Sequence, residues 1–439
     1  MQMLYNIGIN LYALGIRIAA SRNAKARKMV SGWSEAWLKL KKGNEPTAWF
    51  HVASLGEFEQ AKPVITLFRE HHPEYSIWLT FFSPSGYEAS TKYSEAEYIT
   101  YLPIDTRRNA KKLIELINPQ VAFFVKYDFW YNYMRQLRQR AVPTYIFSTI
   151  FRPNHYFFKP YGKWFLHQLG CFTHIFVQNE QSMQLLAAHG FSNISKSGDT
   201  RFDRVKTIAL QAPTNAVVEE FLGFGRNKLE DKKTSENNTN GDTSNNGSTC
   251  ECLIGGSTWE PDEANLYRYL CHRGDRIKYI LAPHVISESH IAAIVEQFGA
   301  DRCIRYSQFH NQPQPRNAQV LIIDNIGMLS TLYRYGTIAY IGGGFGRGIH
   351  NILEALTYNK PVIFGPNNKK FQEAQDIKHL GGGWEYTNYD QLEQQLDLLL
   401  NSDTELKRAA EVCRNYVDSN IGCSAKIMAT VDLNPPFGT

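Results

Sequence analysis

Gly342-Gly343-Gly344-Phe345-Gly346-Arg347-Gly348-Ile349-His350-Asn351-Ile352-Leu353-Glu354 decides how the rest of this chain is read. Before it, Thr337 to Ile341 is a short β-branched and aromatic run that predicts a buried strand. After it, Asn351 opens a segment with apolar Ile352, Leu353 and Leu356, predicting a helix. A glycine-rich strand-to-helix turn lets backbone approach an anion closely, and a following helix offers unpaired N–H groups and the positive end of its dipole. The pattern points to phosphate binding, with a plain tight turn as the alternative. Its neighbours decide between the two.

Working outward, strand-like runs alternate with helical ones. Predicted strands are 47–53, 76–82, 97–102, 121–126, 144–148 and 174–178, then 252–256, 278–282, 319–323, 337–341 and 361–364. Periodic segments such as 109–117 and 181–189 lie between them. This alternation predicts α/β architecture, with parallel sheets covered by helices. Ligands then bind at the carboxyl ends of the strands. Between the two series, residues 225–250 are polar, with almost nothing apolar to bury, and predict a flexible insert. A chain of 439 residues also exceeds one ordinary core. The expected organisation is an N-terminal helix over 1–30, a Rossmann-like domain over 31–210, the insert, and a second such domain over 251–425, their sheets facing a central cleft.

Composition narrows the function classes. Hydrophobic residues at 43% and charged residues at 20% describe a globular chain, and a net charge of +5 is too mild for a dedicated nucleic-acid binder. Seven scattered cysteines have no zinc-like spacing and predict free thiols. No Asp-x-Asp or His-x-x-x-His pattern marks a metal site, so neither metal nor other cofactor is expected. Met3 to Ala20 is largely apolar but interrupted by Asn6, Asn10 and Arg17, and is followed by Arg22, Lys25, Arg27 and Lys28. That is poor for a spanning helix and suits an amphipathic one lying on an anionic membrane surface; a helix packed on its own domain is the alternative.

Polar residues recur at the predicted strand ends. His51-Val52-Ala53-Ser54-Leu55-Gly56-Glu57 follows the first strand; Ser54 and Gly56 suit a turn into a helix, placing Glu57 in the first helical turn. There it serves as a general base or merely complements the helix dipole. Gly256-Ser257-Thr258 precedes a helix started near Pro261, where Ser257 and Thr258 either take phosphate oxygens or cap the helix. His284 ends the next strand. Glu354 is placed to grip ribose hydroxyls or to face solvent.

With those residues in place, the chain resembles the 3-deoxy-D-manno-octulosonic acid (Kdo) transferases. His51 to Glu57 is similar to that family's His-x-x-Ser-x-Gly-Glu block. Gly198-Asp199-Thr200-Arg201-Phe202-Asp203, Gly256-Ser257-Thr258 with Glu263, Gly348 to Glu354, and Gly365-Pro366 with Phe371 and Glu373 match further blocks in order. The resemblance implies a GT-B fold and an inverting, metal-independent transferase moving Kdo from CMP-Kdo to a lipid A precursor. It also implies the cytoplasmic face of the inner membrane as its place, held peripherally or by a single N-terminal anchor. It makes Glu57 the base, with His51, Ser54, Gly56, Asp128 and Arg201 binding or supporting the acceptor. Ser257, Thr258, His284, Gly343, Gly344, Gly346, Gly348, His350, Asn351 and Glu354 would hold the nucleotide sugar. Rival readings are a GT-B transferase using a UDP-sugar, and a non-catalytic nucleotide or glycolipid binder. Two departures stand out. Ala282-Pro283-His284 replaces Pro-Arg-His, leaving Arg347 or Arg201 to stand in for the absent arginine. Lys126-Tyr127-Asp128 replaces Glu-x-Glu.

Overall fold

The computed structural model describes residues 1–39, 45–224, 251–311 and 318–433. The chain divides into two compact units: Met1–Arg204 with Asn420–Thr439, and Val205–Ser419. The C-terminal end thus belongs with the first unit, and the second begins at 205, unlike the boundaries expected at 210 and 425. The insert expected at 225–250 lies outside the described residues.

The first unit holds a seven-stranded parallel sheet. Its strands are β1 (Thr47–Val52), β2 (Ser76–Phe81), β3 (Tyr98–Tyr101), β4 (Val121–Val125), β5 (Thr144–Thr149), β6 (His174–Val177) and β7 (Ile194–Lys196). Their order is β3-β2-β1-β4-β5-β6-β7. The central strands are buried along their whole length, as a sheet covered on both faces requires. Successive residues point to opposite faces: Trp49 and Phe124 enter one core, Phe50 and Phe123 the other. Ile427 and Met428, from the returning C-terminal helix Cys423–Met428, close the second of these. The Asp203 carboxylate anchors that helix, accepting from Gly422 N (2.6 Å) and from Ser424 N (2.6 Å) and Oγ (2.7 Å).

Two helices precede the sheet, α1 (Gln2–Ala19) and α2 (Ala24–Lys39). One side of α1 docks on the unit. Tyr5 Oη donates to Asp105 Oδ2 (2.5 Å), and Asn132 Nδ2 donates to Asn6 Oδ1 (2.9 Å). Asp105 is buried, and burial pushes its carboxyl up to about 7. The other side leaves Leu4, Ile7, Leu11, Leu14 and Ile18 exposed at helical spacing, a continuous apolar stripe. Among the described residues, no helix is long and apolar enough to cross a membrane.

The second unit repeats the plan with β8 (Glu251–Thr258), β9 (Ile277–Pro283), β10 (Cys303–Arg305), β11 (Val320–Ile322), β12 (Ile338–Ile341), β13 (Val362–Phe364) and β14 (Gly383–Glu385). All are parallel, ordered β10-β11-β9-β8-β12-β13-β14. The three strands without a sequence prediction, β7, β10 and β14, are three-residue edge strands, too short to show a period.

Candidate active site

Both sheets reverse direction of growth at one place. In the first, β2 and β3 build out from one side of β1, and β4 then starts on its other side. In the second, β9 to β11 lie on one side of β8, and β12 starts on the other. At such a switch point the loops leaving the two central strands diverge and open a crevice. The sequence-derived candidates fall on these loops.

In the first unit, β1 runs out at Val52 and the chain turns into helix α3 (Leu55–His71). Ser54 caps it, with extended backbone and Oγ accepting from Glu57 N (3.4 Å). Glu57 reaches back, and its Oε2 accepts from Ala53 N (2.7 Å). This reciprocal cap fixes the carboxyl at the edge of the sheet. Burial raises its pKa, opposed by the charge of Lys126 and by hydrogen bonds from Ala53 and Ser54, and the balance is upward. An ionisable carboxyl held above its ordinary range suits proton removal near neutral pH. Gly56 has an ordinary backbone and open space where a Cβ would go, so nothing in the fold demands glycine there.

Across the switch point, β4 ends at Val125 and turns through Lys126, which is left-handed (φ 56°). Asp128 follows, its carboxyl buried. Burial, then the neighbouring Glu57, raises its pKa well above the carboxylate range. Its Oδ2 lies 3.6 Å from His51 Nε2 and has no hydrogen-bond partner among the described residues. His51 itself is fully buried. Nδ1 meets Thr80 Oγ1 (2.9 Å) and O (3.1 Å), while Nε2 accepts from Trp130 Nε1 (2.9 Å). Burial drives its pKa down to about 3, so the ring is neutral. His51 and Asp128 are both buried, His51 fully. Arg201 is committed to Asp199, with Nε at 2.8 Å and Nη2 at 2.7 Å, and Asp199 also accepts from Gln60 Nε2 on α3 (2.8 Å).

In the second unit, β8 closes with an irregularity between Gly256 and Thr258, and Ser257 adopts a positive φ of 53°. Strain of this kind in a non-glycine residue at a strand end is a mark of a functional turn. Thr258 is buried and donates to Glu263 Oε1 (2.9 Å), whose Oε2 meets His290 Nε2 (2.9 Å). The Thr258 hydroxyl expected to take phosphate is therefore a structural tie. The glycine loop after β12 is held tightly too. A Cβ on Gly342 would collide with the Ser257 carbonyl, and one on Gly344 would come within 2.6 Å of Gly365 Cα. These two glycines exist so that neighbouring strand-end loops can touch backbone to backbone. Gly343 N donates to Asp262 Oδ2 (3.0 Å), and the N–H groups of Gly342, Gly346, Gly348, Ile349 and His350 meet carbonyls. The N–H groups of Gly344, Phe345 and Arg347 have no acceptor among the described residues. The expected cradle from 342 to 348 thus shrinks to these three. The helix expected after it is also cut short, spanning only Leu353–Leu356, because Asn359 turns left-handed (φ 60°) and Pro361 leads the chain into β13.

A ring stack borders the loop. His284 lies against Trp259 (centroids 4.7 Å, 25°) and against His350 (4.4 Å, 30°), and Trp259 Nε1 points to His350 Nε2 at 3.5 Å. Trp259 is 39% exposed and His284 is exposed, so the stack offers an open aromatic face. Asn351 Nδ2 donates to Glu354 Oε1 (3.0 Å), orienting that carboxylate. Arg347 is exposed on the loop. Trp259 and Asp262 went unassigned in the sequence. Asp262 Oδ2 accepts both Trp259 N and Gly343 N (3.0 Å each), and Oδ1 accepts from Tyr340 Oη (2.7 Å), which locks the two strand-end loops together. Its place three residues after Trp259, at a capping position, was the available signal. One group of metal-ligand type exists among the described residues, His272, Glu393 and Asp397. It lies on the outer helices Glu260–Arg273 and Tyr389–Asn401, with His272 Nδ1 on Glu393 (2.9 Å) and Nε2 on Asp397 (3.3 Å).

A family model described as 3-deoxy-D-manno-octulosonic-acid transferase (kdotransferase) matches residues 30–204, the stretch that carries Glu57 and Asp128. The chain is 24% identical over 408 residues to the 3-deoxy-D-manno-octulosonic acid transferase of Haemophilus influenzae, spanning 89% of this chain and 86% of that protein. It is 25% identical to the enzyme of the same name from Aquifex aeolicus, spanning 82% and 87%. The chain is thus similar to Kdo transferases over most of its length. The relatives that carry this name are glycosyltransferases. Its fold is GT-B, two Rossmann-like units, as in the crystal structure of Acinetobacter baumannii MurG (TM-score 0.51, 11% identity, 88% of this chain and 98% of that one).

Proposed function

We propose that this chain is a Kdo transferase that moves Kdo from CMP-Kdo to a lipid A precursor of the lipid IVA type, inverting the anomeric centre without a metal. The observation that carries the reading is Glu57. It is a carboxyl fixed by a reciprocal cap at the β1–β4 switch point, held above its ordinary pKa, within the His51–Glu57 block. Glu57 takes the proton of an acceptor hydroxyl as that oxygen bonds to the anomeric carbon of Kdo. The bond from that carbon to the CMP phosphate oxygen breaks, and CMP leaves with its electron pair. In the second unit, the N–H groups of Gly344, Phe345 and Arg347 and the rings of His284 and His350 receive the phosphate. Trp259 stacks on the cytosine, and Glu354 takes ribose hydroxyls. Supplying CMP-Kdo in situ with a tetraacyl lipid A precursor and weighing the lipid tests this. Products heavier by Kdo are expected; product formed only from a UDP-sugar would overturn it.

The acceptor places the enzyme at a membrane surface, the cytoplasmic face of the inner membrane, and α1 supplies the means. Its exposed stripe of Leu4, Ile7, Leu11, Leu14 and Ile18 enters the headgroup boundary, with Arg17, Arg22, Lys25 and Lys28 near anionic lipid. Burying one leucine is worth about 1.5–3 kcal/mol. Replacing Leu11 and Leu14 together by Glu should therefore weaken binding to anionic phospholipid vesicles by more than about a hundredfold. Undiminished cosedimentation would remove α1 from the account.

A further inference from the structure

We infer that Asp128 holds a proton at neutral pH and pairs, as a neutral acid, with an ionised Glu57, so that the two carboxyls carry one negative charge between them. The inference rests on Glu57 being the base. Its grounds are geometric. Asp128 Oδ2 is buried without a partner, which a carboxylate oxygen in a folded core does not tolerate. His51 Nε2, 3.6 Å away, cannot supply a proton. That nitrogen already accepts from Trp130 Nε1, while Nδ1 points its hydrogen at Thr80. The ring has one lone pair and it is taken. The backbone N–H of Ala53 faces both carboxyls, and Glu57 Oε2 holds it at 2.7 Å. Among the described residues, the groups that act on the pair include Lys126 from the turn after β4 and neutral His51 from β1. One cation and one N–H match one negative charge, and like carboxyls side by side retain one proton. The deeper burial of Asp128 keeps that proton there and leaves Glu57 ionised, ready to receive the acceptor's proton. As pH rises far enough to ionise Asp128, the pair becomes doubly negative beside a single lysine, and catalysis acquires an alkaline limb.

Infrared difference spectra of the full-length protein, wild type minus Asp128→Asn at neutral pH, test the proton directly. Asp105, also raised, is common to both proteins and cancels. A carboxylic-acid carbonyl band that shifts in D2O is expected, together with loss of the alkaline limb of kcat/KM in Asp128→Asn. Asparagine imitates the neutral acid, so its turnover should fall by about tenfold or less, against the ~10²–10⁴-fold loss of a missing base in Glu57→Gln. No difference band, or an unaltered alkaline limb, overturns the inference while leaving Glu57 as base. A difference band in a protein whose turnover ignores Glu57→Gln overturns the base reading instead.

Discussion

Both switch points lie beside the first strand of a seven-stranded parallel sheet, yet they are built from opposite materials. At the first, two carboxyls, a neutral histidine and a lysine gather around one backbone N–H, and at least one polar atom, Asp128 Oδ2, is left buried without a partner. At the second, glycines let loops touch, six of the nine N–H groups from Gly342 to His350 are satisfied within the protein, and the open surface is a stack of rings. A buried polar group without a partner is costly to fold around and is retained where chemistry needs it. Satisfied backbone under an aromatic face gives a rigid bed on which a ligand is held. One topology therefore supplies a proton-handling end and a holding end, and the difference lies wholly in the residues after four strands.

The sharpest way to break this contrast is to remove the base. Glu57→Ala should lower turnover by ~10²–10⁴-fold, since general-base help is worth that much, while the thermal shift produced by CMP stays as in wild type. A wild-type rate would erase the chemical half of the comparison. Next in size is the packing of the holding end. Gly342→Ala sets a methyl against the Ser257 carbonyl and should cost about 1–3 kcal/mol of stability by denaturant titration. Gly346→Ala, whose nearest neighbour for a Cβ is 3.6 Å away, should cost far less. Equal losses at both positions would mean that loop contact is not what the glycines serve. The smallest effect is expected at Gly56. With room for a methyl on a helix, Gly56→Ala should stabilise the protein by about 0.4–1 kcal/mol, yet raise the KM of the lipid acceptor if that surface is where the acceptor backbone-contacts α3. Unchanged KM would free Gly56 from any part in acceptor binding.

Much of this was legible in the sequence, for physical reasons that differ by region. The long central strands were readable because burial on both faces leaves near-continuous apolar runs, as in Ala48–Val52 and Val121–Val125. Glu57 was placed correctly because Ser54 and the residues after it spell a capped helix start. The glycine loop was located, but its closest contacts were not legible. Sequence shows that glycine is needed at 342 and 344 without showing whether a ligand or a neighbouring loop comes close, and here the loops at Ser257 and Gly365 do. Likewise the hydroxyl of Thr258 looked available until Glu263 was seen to accept from it. The meeting of Glu57 with Asp128 was hidden because only the pairing of β1 with β4 brings two distant stretches of chain together. Trp259, an exposed ring of the stack, carried no periodic signal at all.

The division of labour between the two ends is tested most directly by measuring CMP affinity by calorimetry and kcat side by side in Glu57→Gln and Trp259→Ala. The account predicts that Glu57→Gln keeps CMP affinity and loses kcat, and that Trp259→Ala weakens CMP binding while kcat at saturating donor changes little. If instead Glu57→Gln weakens CMP binding as much as it lowers turnover, or Trp259→Ala leaves affinity intact, the assignment of proton chemistry to one switch point and nucleotide holding to the other is contradicted.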